Sequence, residues 1–113
     1  QIELLFGEGK KFTMAPFRVH YLLGTEGSFS VRFGAGVSNK NFKKAVDRNR
    51  IKRLAREAWR QQKSDLQQRL KGKNESMDVF FIYTEKEVPE YKIVYDAIGK
   101  AINKLSGMID LKQ

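Results

Sequence analysis

The chain has no cysteine and a single histidine, and these scarcities exclude several kinds of site. Without thiols there is no disulfide, no thiolate metal site and no cysteine nucleophile, and one histidine cannot form a multi-histidine metal site. No run of about 18 apolar residues occurs, and the N-terminus lacks the pattern of a signal peptide, so no membrane span or export is expected. We therefore expect a cytoplasmic protein with neither a membrane partner nor a small-molecule cofactor.

Acidic residues are scarce relative to basic ones. The 113 residues include 22 Lys and Arg against 13 Asp and Glu, a formal net charge of +9. Residues 40–60 hold nine basic and two acidic residues, so most of the excess lies in one segment. A chain of this length buries one core, which predicts a single domain over residues 1–113. Because the chain opens with Gln1 rather than methionine, we expect its N-terminal helix to be incomplete.

Residues 47–60 combine this charge with helical periodicity. Four apolar residues share one side of the predicted helix: Ile51, Leu54, Ala55 and Ala58. Four basic residues follow at intervals of four on a neighbouring side: Arg48, Lys52, Arg56 and Arg60. Like charges at this spacing repel by roughly a few tenths of a kcal/mol per pair. Basic helices are commonly only solvated, but Glu57 is the sole carboxylate between Arg48 and Arg60, so a polyanionic partner is favoured. Nucleic acid is preferred over membrane because the helix lacks a bulky apolar side.

Periodicity and turn residues predict the remaining elements. In order they are a helix ending near Gly7 and Gly9, a strand at 13–23 interrupted at Pro16, a turn at 24–27, a strand at 29–37, a helix at 42–71 stopped by Gly72, a strand at 77–84, and a helix from Pro89 to Gly107. The first two strands are expected to be neighbours with a polar, partly basic face. The apolar run at 77–84 predicts a strand covered on both faces, and the polar second half of the long helix predicts that it projects over solvent.

A few residues have competing interpretations. Trp59 borders the basic side of the helix, where a core position is favoured over stacking on a base. Gly34 and Gly36 allow a backbone or ligand to approach the outer side of their strand, and a bulge explains them equally well. His20 has no recognisable nucleophile partner, so a half-exposed structural histidine is favoured over a catalytic one. An RNA contact by His20 is the intermediate possibility. No residue is assigned a catalytic or metal-binding role.

The run from Ala45 to Arg60 resembles the R-N-R motif of the protein subunit of bacterial ribonuclease P. Further features follow the family's order over almost the whole chain: an aromatic residue before Gly-x-Gly, a Phe-x-Val-x-Tyr strand, Val-Ser shortly before Lys40, and a Val-Phe-Phe-Ile-Tyr strand. The resemblance implies an α+β fold, with a small mixed sheet of about four strands packed with helices. The long basic helix would join two parallel strands by a left-handed βαβ crossover.

The resemblance also implies a function and a set of RNA-binding residues. With a catalytic RNA, the holoenzyme would remove the 5′ leader from precursor tRNA; the active site and its Mg2+ would belong to the RNA, and the protein would lower the Mg2+ requirement. Four residues would contact the catalytic RNA: Arg48, Asn49, Arg50 and Arg53. Two would face the leader or the metal-rich centre: Lys52 and Arg56. The RNA-binding surface would also include Lys40, Lys43, Lys44 and Arg60, and the cleft for the single-stranded leader would be bordered by Phe6, Arg18 and His20, with Lys40 beside them.

The chain departs from the family pattern in ways that affect the leader cleft. Asn39 precedes Lys40 where the family often has two lysines, and the basic segment before the family's first helix is not seen. Arg18 and His20 stand where many relatives carry an aliphatic or aromatic residue, which predicts more electrostatic and less stacking contact. Two alternatives stay open: a general RNA-binding or ribosome-associated module, which would ignore the 5′ leader, and a DNA-binding protein, for which duplex DNA would compete equally at equal salt.

Overall fold

The computed structural model describes residues 9–24, 30–73 and 75–111. These residues form β1 (Lys10–Met14), β2 (Phe17–Gly24), β3 (Ser30–Val37), α1 (Ala45–Gln62), α2 (Ser64–Lys73), β4 (Ser76–Tyr83) and α3 (Tyr91–Leu111). The predicted helix end before Gly7 and the predicted cleft residue Phe6 lie outside the described residues, as does most of the predicted turn at 24–27.

The four strands form one mixed sheet in the order β1-β2-β4-β3. β2 is antiparallel to both β1 and β4, whereas β3 and β4 are parallel and are connected by α1 and α2. The predicted α+β fold, with the basic helix in a crossover between parallel strands, is confirmed. The prediction that the first two long strands are neighbours is wrong, because β4 lies between β2 and β3. Alternation of apolar residues determines which side of a strand is buried, but not which strand lies beside it.

The predicted single strand at 13–23 is instead a pair of strands. It divides at the cis peptide bond between Ala15 and Pro16, and Met14 pairs with Phe17 in the antiparallel register. Proline has no amide hydrogen to donate, so the ladder cannot continue through it. The interruption seen in the sequence is therefore the turn of a hairpin.

The predicted helix at 42–71 is also divided. α1 begins at Ala45 and ends at Gln62, and α2 continues from Ser64 through Gly72 to Lys73. Leu66 and Leu70 are fully buried, so the prediction that this half projects over solvent is wrong. Two leucines four positions apart are enough to dock a short helix, since burying each contributes about 2 kcal/mol.

The core lies between the inner face of the sheet and the three helices. Along β4, burial alternates: four residues are buried, Met77, Val79, Phe81 and Tyr83, whereas the residues between them are only partly buried. The prediction that this strand is covered on both faces is therefore wrong. α3 buries a stripe and runs past Gly107 to Leu111, since Ile109, one turn after Leu105, is also buried. No helix in the described parts of the chain is long and apolar enough to cross a membrane.

Candidate nucleic-acid interface

The buried side of α1 determines which of its residues face outward. Ile51, Ala55, Ala58 and Trp59 are buried against the sheet and α3. The Trp59 ring stacks on Phe33 of β3 with centroids 4.9 Å apart, and it meets Phe81 edge-on at 6.1 Å. The core position predicted for Trp59 is confirmed, and these contacts prevent the helix from rotating about its axis.

With α1 held in this way, its cations lie on the outer side and on both flanks. Five of the predicted RNA-binding residues on this helix are exposed: Asn49, Arg50, Arg53, Arg56 and Arg60. Arg48 and Lys52 are partly buried. Helical spacing places both beside Trp59, the residue that contacts Phe33 of β3. Arg50 lies on the other flank, where it lines a groove with Leu54 and Tyr91 next to the start of α3. The predicted RNA-binding residues of this helix therefore lie on its outer side and on the two flanks beside it.

The loop before α1 carries three exposed lysines: Lys40, Lys43 and Lys44. It is held by hydrogen bonds from the Lys40 amide to Ser38 Oγ (3.0 Å) and from Asn41 Nδ2 to the Thr84 carbonyl (3.4 Å). Arg48 Nη1 donates to the Phe42 carbonyl oxygen at 2.7 Å, which ties α1 to this loop. Lysines beside a helix N-terminus oppose the helix dipole. The loop therefore extends a positive surface at a cost that an anionic partner would offset.

An ion pair with a carboxylate distinguishes Arg60 from the other cations of α1. Arg60 forms an ion pair with Glu57, with 3.1 Å between Nε and Oε1, and Gln61 Nε2 donates to the same carboxylate at 2.8 Å. Hydrogen bonds from Arg60 and Gln61 lower the pKa of Glu57, and Glu57 raises the pKa of Arg60. Within the described ranges, no ion pair engages four other cations: Arg50, Lys52, Arg53 and Arg56. These four are the more available to phosphates.

The outer face of the sheet carries the other predicted site residues. Arg18 is exposed and His20 is partly buried on β2, whereas Phe17 and Val19 point into the core, as the alternation predicts. In the register, Lys11 of β1 lies beside His20. Burial, and then Lys11 and Arg18, lower the pKa of His20. Lys11, Arg18 and His20 therefore form a cluster of basic residues on this face.

β4 and β3 lie between the outer face of β2 and the sheet edge nearest α1, and β3 is the edge strand of the described sheet. The inner side of β3 contacts Trp59 through Phe33, and its outer side carries Arg32, which forms an ion pair with Asp78 at 2.8 Å. The flank of α1 that carries Arg48 and Lys52 is the flank nearer to β3, because Trp59 beside them contacts Phe33. Sites far apart in the sequence thus occupy neighbouring surfaces around one sheet edge.

Phe80 is a feature of the outer face that the sequence reasoning missed. Its ring fills the space above Gly34 and Gly36, where added β-carbons would come within 2.5 Å and 2.9 Å of ring carbons. Both glycines are paired regularly with β4, so the bulge considered for them is not present. The close approach that they allow is made by Phe80. The sequence shows the two alternating glycines and the aromatic residue. It does not show that β3 pairs with β4, which places them opposite one another.

Acidic residues form no comparable site in the described chain. Glu85, Glu87 and Glu90 are exposed in the loop after β4. The described residues contain no group of three or more His, Asp or Glu side chains arranged to hold a metal ion.

Comparison with known proteins identifies relatives over most of the chain. The sequence model of the family described as Ribonuclease P matches residues 1–106. The ribonuclease P protein component of Porphyromonas gingivalis is 36% identical over 111 residues, which are 96% of this chain and 80% of the relative. That of Thioalkalivibrio sulfidiphilus is 39% identical over 66 residues, 58% of this chain and 53% of the relative.

Solved structures of similar fold agree with these matches. The RNase P protein from Thermotoga maritima, in complex with 1-(4-fluorophenyl)-2-thiourea, has a TM-score of 0.67 at 27% identity, covering 91% of this chain and 92% of that one. The Staphylococcus aureus RNase P protein has a TM-score of 0.65 at 22% identity, covering 93% and 87%, which is a likeness of fold.

Proposed function

The chain belongs to the ribonuclease P protein family, and we propose that it serves as the RNA-binding subunit of a holoenzyme whose active site lies in the RNA. Its role is in the removal of the 5′ leader from precursor tRNA. The observation that carries the proposal is the outer side of α1, where Arg50 and Arg53 are exposed and have no acidic partner among the described residues. The partners are the catalytic RNA and the precursor tRNA.

On this proposal, the outer side of α1 binds the catalytic RNA by neutralising phosphates. Arg50 and Arg53 present forked donors that match phosphate oxygens, and Asn49, the residue before Arg50, can both donate and accept hydrogen bonds. Each phosphate contact releases condensed counterions, so the slope of log affinity against log salt steepens by roughly 0.7–0.9 per contact. The R-N-R segment therefore supplies affinity that does not depend on base sequence.

Arg48 contributes to assembly partly through structure. Because its guanidinium donates to the Phe42 carbonyl, it helps to hold the loop that presents Lys40. We assign the direct RNA-subunit contacts chiefly to the three outward residues Asn49, Arg50 and Arg53. Lys52 and Arg56, on or near the β3 flank, are assigned to the substrate side.

The leader is assigned to the outer face of the sheet, with Arg18 and His20 as its electrostatic contacts. We assign the Mg2+ ions of the reaction to the RNA subunit. The cations of α1 and its preceding loop replace counterions where RNA phosphates crowd together, which is a physical reason for a lower Mg2+ requirement in the presence of the protein.

The test is cleavage of precursor tRNA by a bacterial ribonuclease P RNA at low Mg2+, with and without the protein. We expect the protein to restore correct 5′ processing, and the double variant Arg50→Ala, Arg53→Ala to lose this effect. The matched control is Lys92→Ala, Lys100→Ala, which removes the same charge from exposed positions of α3. Equal losses of cleavage in both double variants would show that the protein acts through its net charge alone and not through these two arginines. Tight RNA binding that ignores the leader, with no restored cleavage, would instead favour a general RNA-binding module.

A further inference from the structure

A groove is formed where β4 ends and α3 begins. Its apolar lining comes from three parts of the chain: Pro16 between β1 and β2, Val88 and Pro89 in the loop, and Ile93 of α3. Val88 is 36% exposed and Ile93 is 49% exposed, and large apolar side chains exposed together commonly mark an interaction site. The groove has a volume of about 700 Å³, which falls within the roughly 300–1,000 Å³ of known ligand sites.

The charge of this groove is opposite in sign to that of the whole chain. Among the described residues that line it are three glutamates, Glu85, Glu87 and Glu90, and one basic residue, Lys86, whereas the chain carries a formal charge of +9. None of the ion pairs between described residues includes these glutamates. Burial raises the pKa of Tyr83, and Glu85 and Glu87 raise it further, so these two carboxylates act at one place.

The remaining residues of the chain do not provide the missing positive charge. Residues 1–8 and 25–29 contain acidic residues but neither lysine nor arginine. Outside the described ranges the one basic residue is Lys112, which follows the end of α3, about 30 Å along the helix axis from Tyr91. The cations that complement this groove are therefore expected from another molecule.

Hydrogen bonds hold the groove in shape without a partner. The amide and the hydroxyl of Thr84 each donate to the Pro16 carbonyl at 3.0 Å, which joins the end of β4 to the β1–β2 turn. The Tyr83 hydroxyl donates to the Glu87 carbonyl at 2.6 Å, which fixes the path of the loop. A preformed groove loses little conformational entropy when it binds a ligand, so a short segment can bind there.

We propose that this groove binds an extended segment of another protein in which basic residues alternate with apolar ones. The apolar residues of the segment would cover Val88 and Ile93, and its lysines or arginines would meet the glutamates. RNA is disfavoured as the occupant because its phosphates would be repelled by the same carboxylates. Residues 88–90 also line the groove that contains Arg50, so the bound segment would lie next to the RNA-binding side of α1.

A second copy of this chain is a less suitable occupant. Its most basic surface is the outer side of α1, and the proposed function assigns that side to the catalytic RNA. This choice between a different protein and a second copy therefore rests on the proposed function. The apolar and acidic character of the groove does not depend on it.

The experiment selects binders from a library of random ten-residue peptides displayed on yeast, with the full chain as the target. We expect the enriched peptides to carry several lysines or arginines among apolar residues. One such peptide is then synthesised with a fluorescent label, and its affinity is measured by fluorescence polarisation. The double variant Val88→Ser, Ile93→Ser should bind it about tenfold more weakly, because apolar surface is no longer covered on binding.

Charge variants test the acidic part of the groove. Glu85→Gln with Glu87→Gln should weaken binding of the peptide about fivefold at low salt, and less at high salt. Glu85→Lys with Glu87→Lys should instead favour a peptide in which glutamates replace the basic residues. Neither pair should change the restored cleavage of precursor tRNA.

Matched controls use exposed positions away from the groove. Val46→Ser removes another exposed valine, at the start of α1. Gln68→Lys with Asn103→Lys adds the same charge as the glutamine pair, at exposed positions of α2 and α3. Neither control should weaken binding of the peptide by more than about twofold.

Three outcomes would overturn the inference. The selection could yield no peptide whose binding depends on Val88 and Ile93, or the controls could weaken binding as much as the groove variants. In sedimentation experiments, self-association of the unchanged protein that is lost in Val88→Ser, Ile93→Ser would make a second copy the occupant. Because the peptide is measured on the free protein and cleavage on the holoenzyme, failure of this inference and failure of the proposed function are separate results.

Discussion

The outer side of α1 and the outer face of the sheet are assembled in opposite ways. Residues 48–60 of one helix supply the first surface, whereas the second joins Lys11, His20 and Phe80 from three strands. The first is almost entirely cationic; the second combines a few cations with an aromatic ring. This difference shows that local sequence is enough to build the first surface, whereas the second depends on which strands pair.

The two surfaces share one set of core contacts. Trp59 on the inner side of α1 stacks on Phe33, and Phe33 belongs to the strand whose outer side carries the glycines beneath Phe80. Disturbing this contact should therefore affect both surfaces, whereas changes on either surface should affect that one alone. The following predictions test this contrast.

The largest effect is expected from Trp59→Ala. Removing the ring leaves a cavity between α1, Phe33 and Phe81, which should lower the free energy of unfolding by about 3–5 kcal/mol. Urea denaturation measures this loss, and Trp59→Phe should recover part of it. Binding of the catalytic RNA and of the leader should weaken together. A loss below about 1 kcal/mol, or weakening of only one binding activity, would show that the surfaces do not depend on this contact.

A large effect on RNA binding alone is expected from Arg50→Ala with Arg53→Ala. Losing two phosphate contacts should make the slope of log affinity against log salt less negative by about 1.5. The free energy of unfolding should change by less than about 0.5 kcal/mol, because both side chains are exposed. The comparison is with Arg18→Ala, which should make the slope for precursor tRNA less negative by about 0.7 and leave the slope for the catalytic RNA unchanged. Filter binding of the catalytic RNA and of precursor tRNA over a range of salt concentrations measures both slopes.

A smaller difference should separate Arg48→Ala from Arg50→Ala. Arg48 donates to the Phe42 carbonyl in a partly buried position, so its loss should cost about 1 kcal/mol of stability. Arg50 makes no such bond among the described residues and should cost little. Thermal unfolding of the two variants should differ by about 4 °C for a domain of this size. Equal unfolding temperatures would show that Arg48 does not stabilise the loop, which would leave it only the RNA contact that the motif predicts.

The smallest effect is expected from the ionisation of His20. Its pKa is lowered in the folded protein by burial and by Lys11 and Arg18. The unfolded chain therefore binds a proton at higher pH than the folded one, so the contribution of His20 to stability is present above pH 6.5 and is lost as the pH falls through the unfolded and then the folded pKa.

The lone histidine of the chain makes this titration simple to follow by NMR. His20→Gln should flatten the pH dependence of the unfolding temperature between about pH 5 and 7. Bound leader should raise the pKa of His20, because a nearby phosphate favours the imidazolium. A pKa that does not respond to precursor tRNA would remove His20 from the leader surface.

How much the sequence predicts depends on how far apart the contributing residues are. The helical positions of Arg50 and Arg53, the core position of Trp59 and the outward direction of Arg18 and His20 follow from local periodicity, and the structure confirms those directions. The ends of the helices could not be predicted as well as these directions. The helix break after Gln62 has no glycine or proline at its junction, and only the burial of Leu66 and Leu70 reveals that α2 packs as a separate helix.

The sequence by itself determined the charge of the molecule, the amphipathic character of α1 and the inward or outward direction of the residues of β2 and β3, because these depend on neighbours within a few positions. The tertiary structure decided that β4 lies between β2 and β3, and hence that Phe80 meets Gly34 and Gly36 beside His20. The pairing of β4 with β2 and β3 brings together residues more than 40 positions apart, and no local pattern records which strands will pair. The cationic side of α1 could therefore be predicted from the sequence, whereas the outer face that joins Lys11, His20 and Phe80 exists only once the sheet has formed.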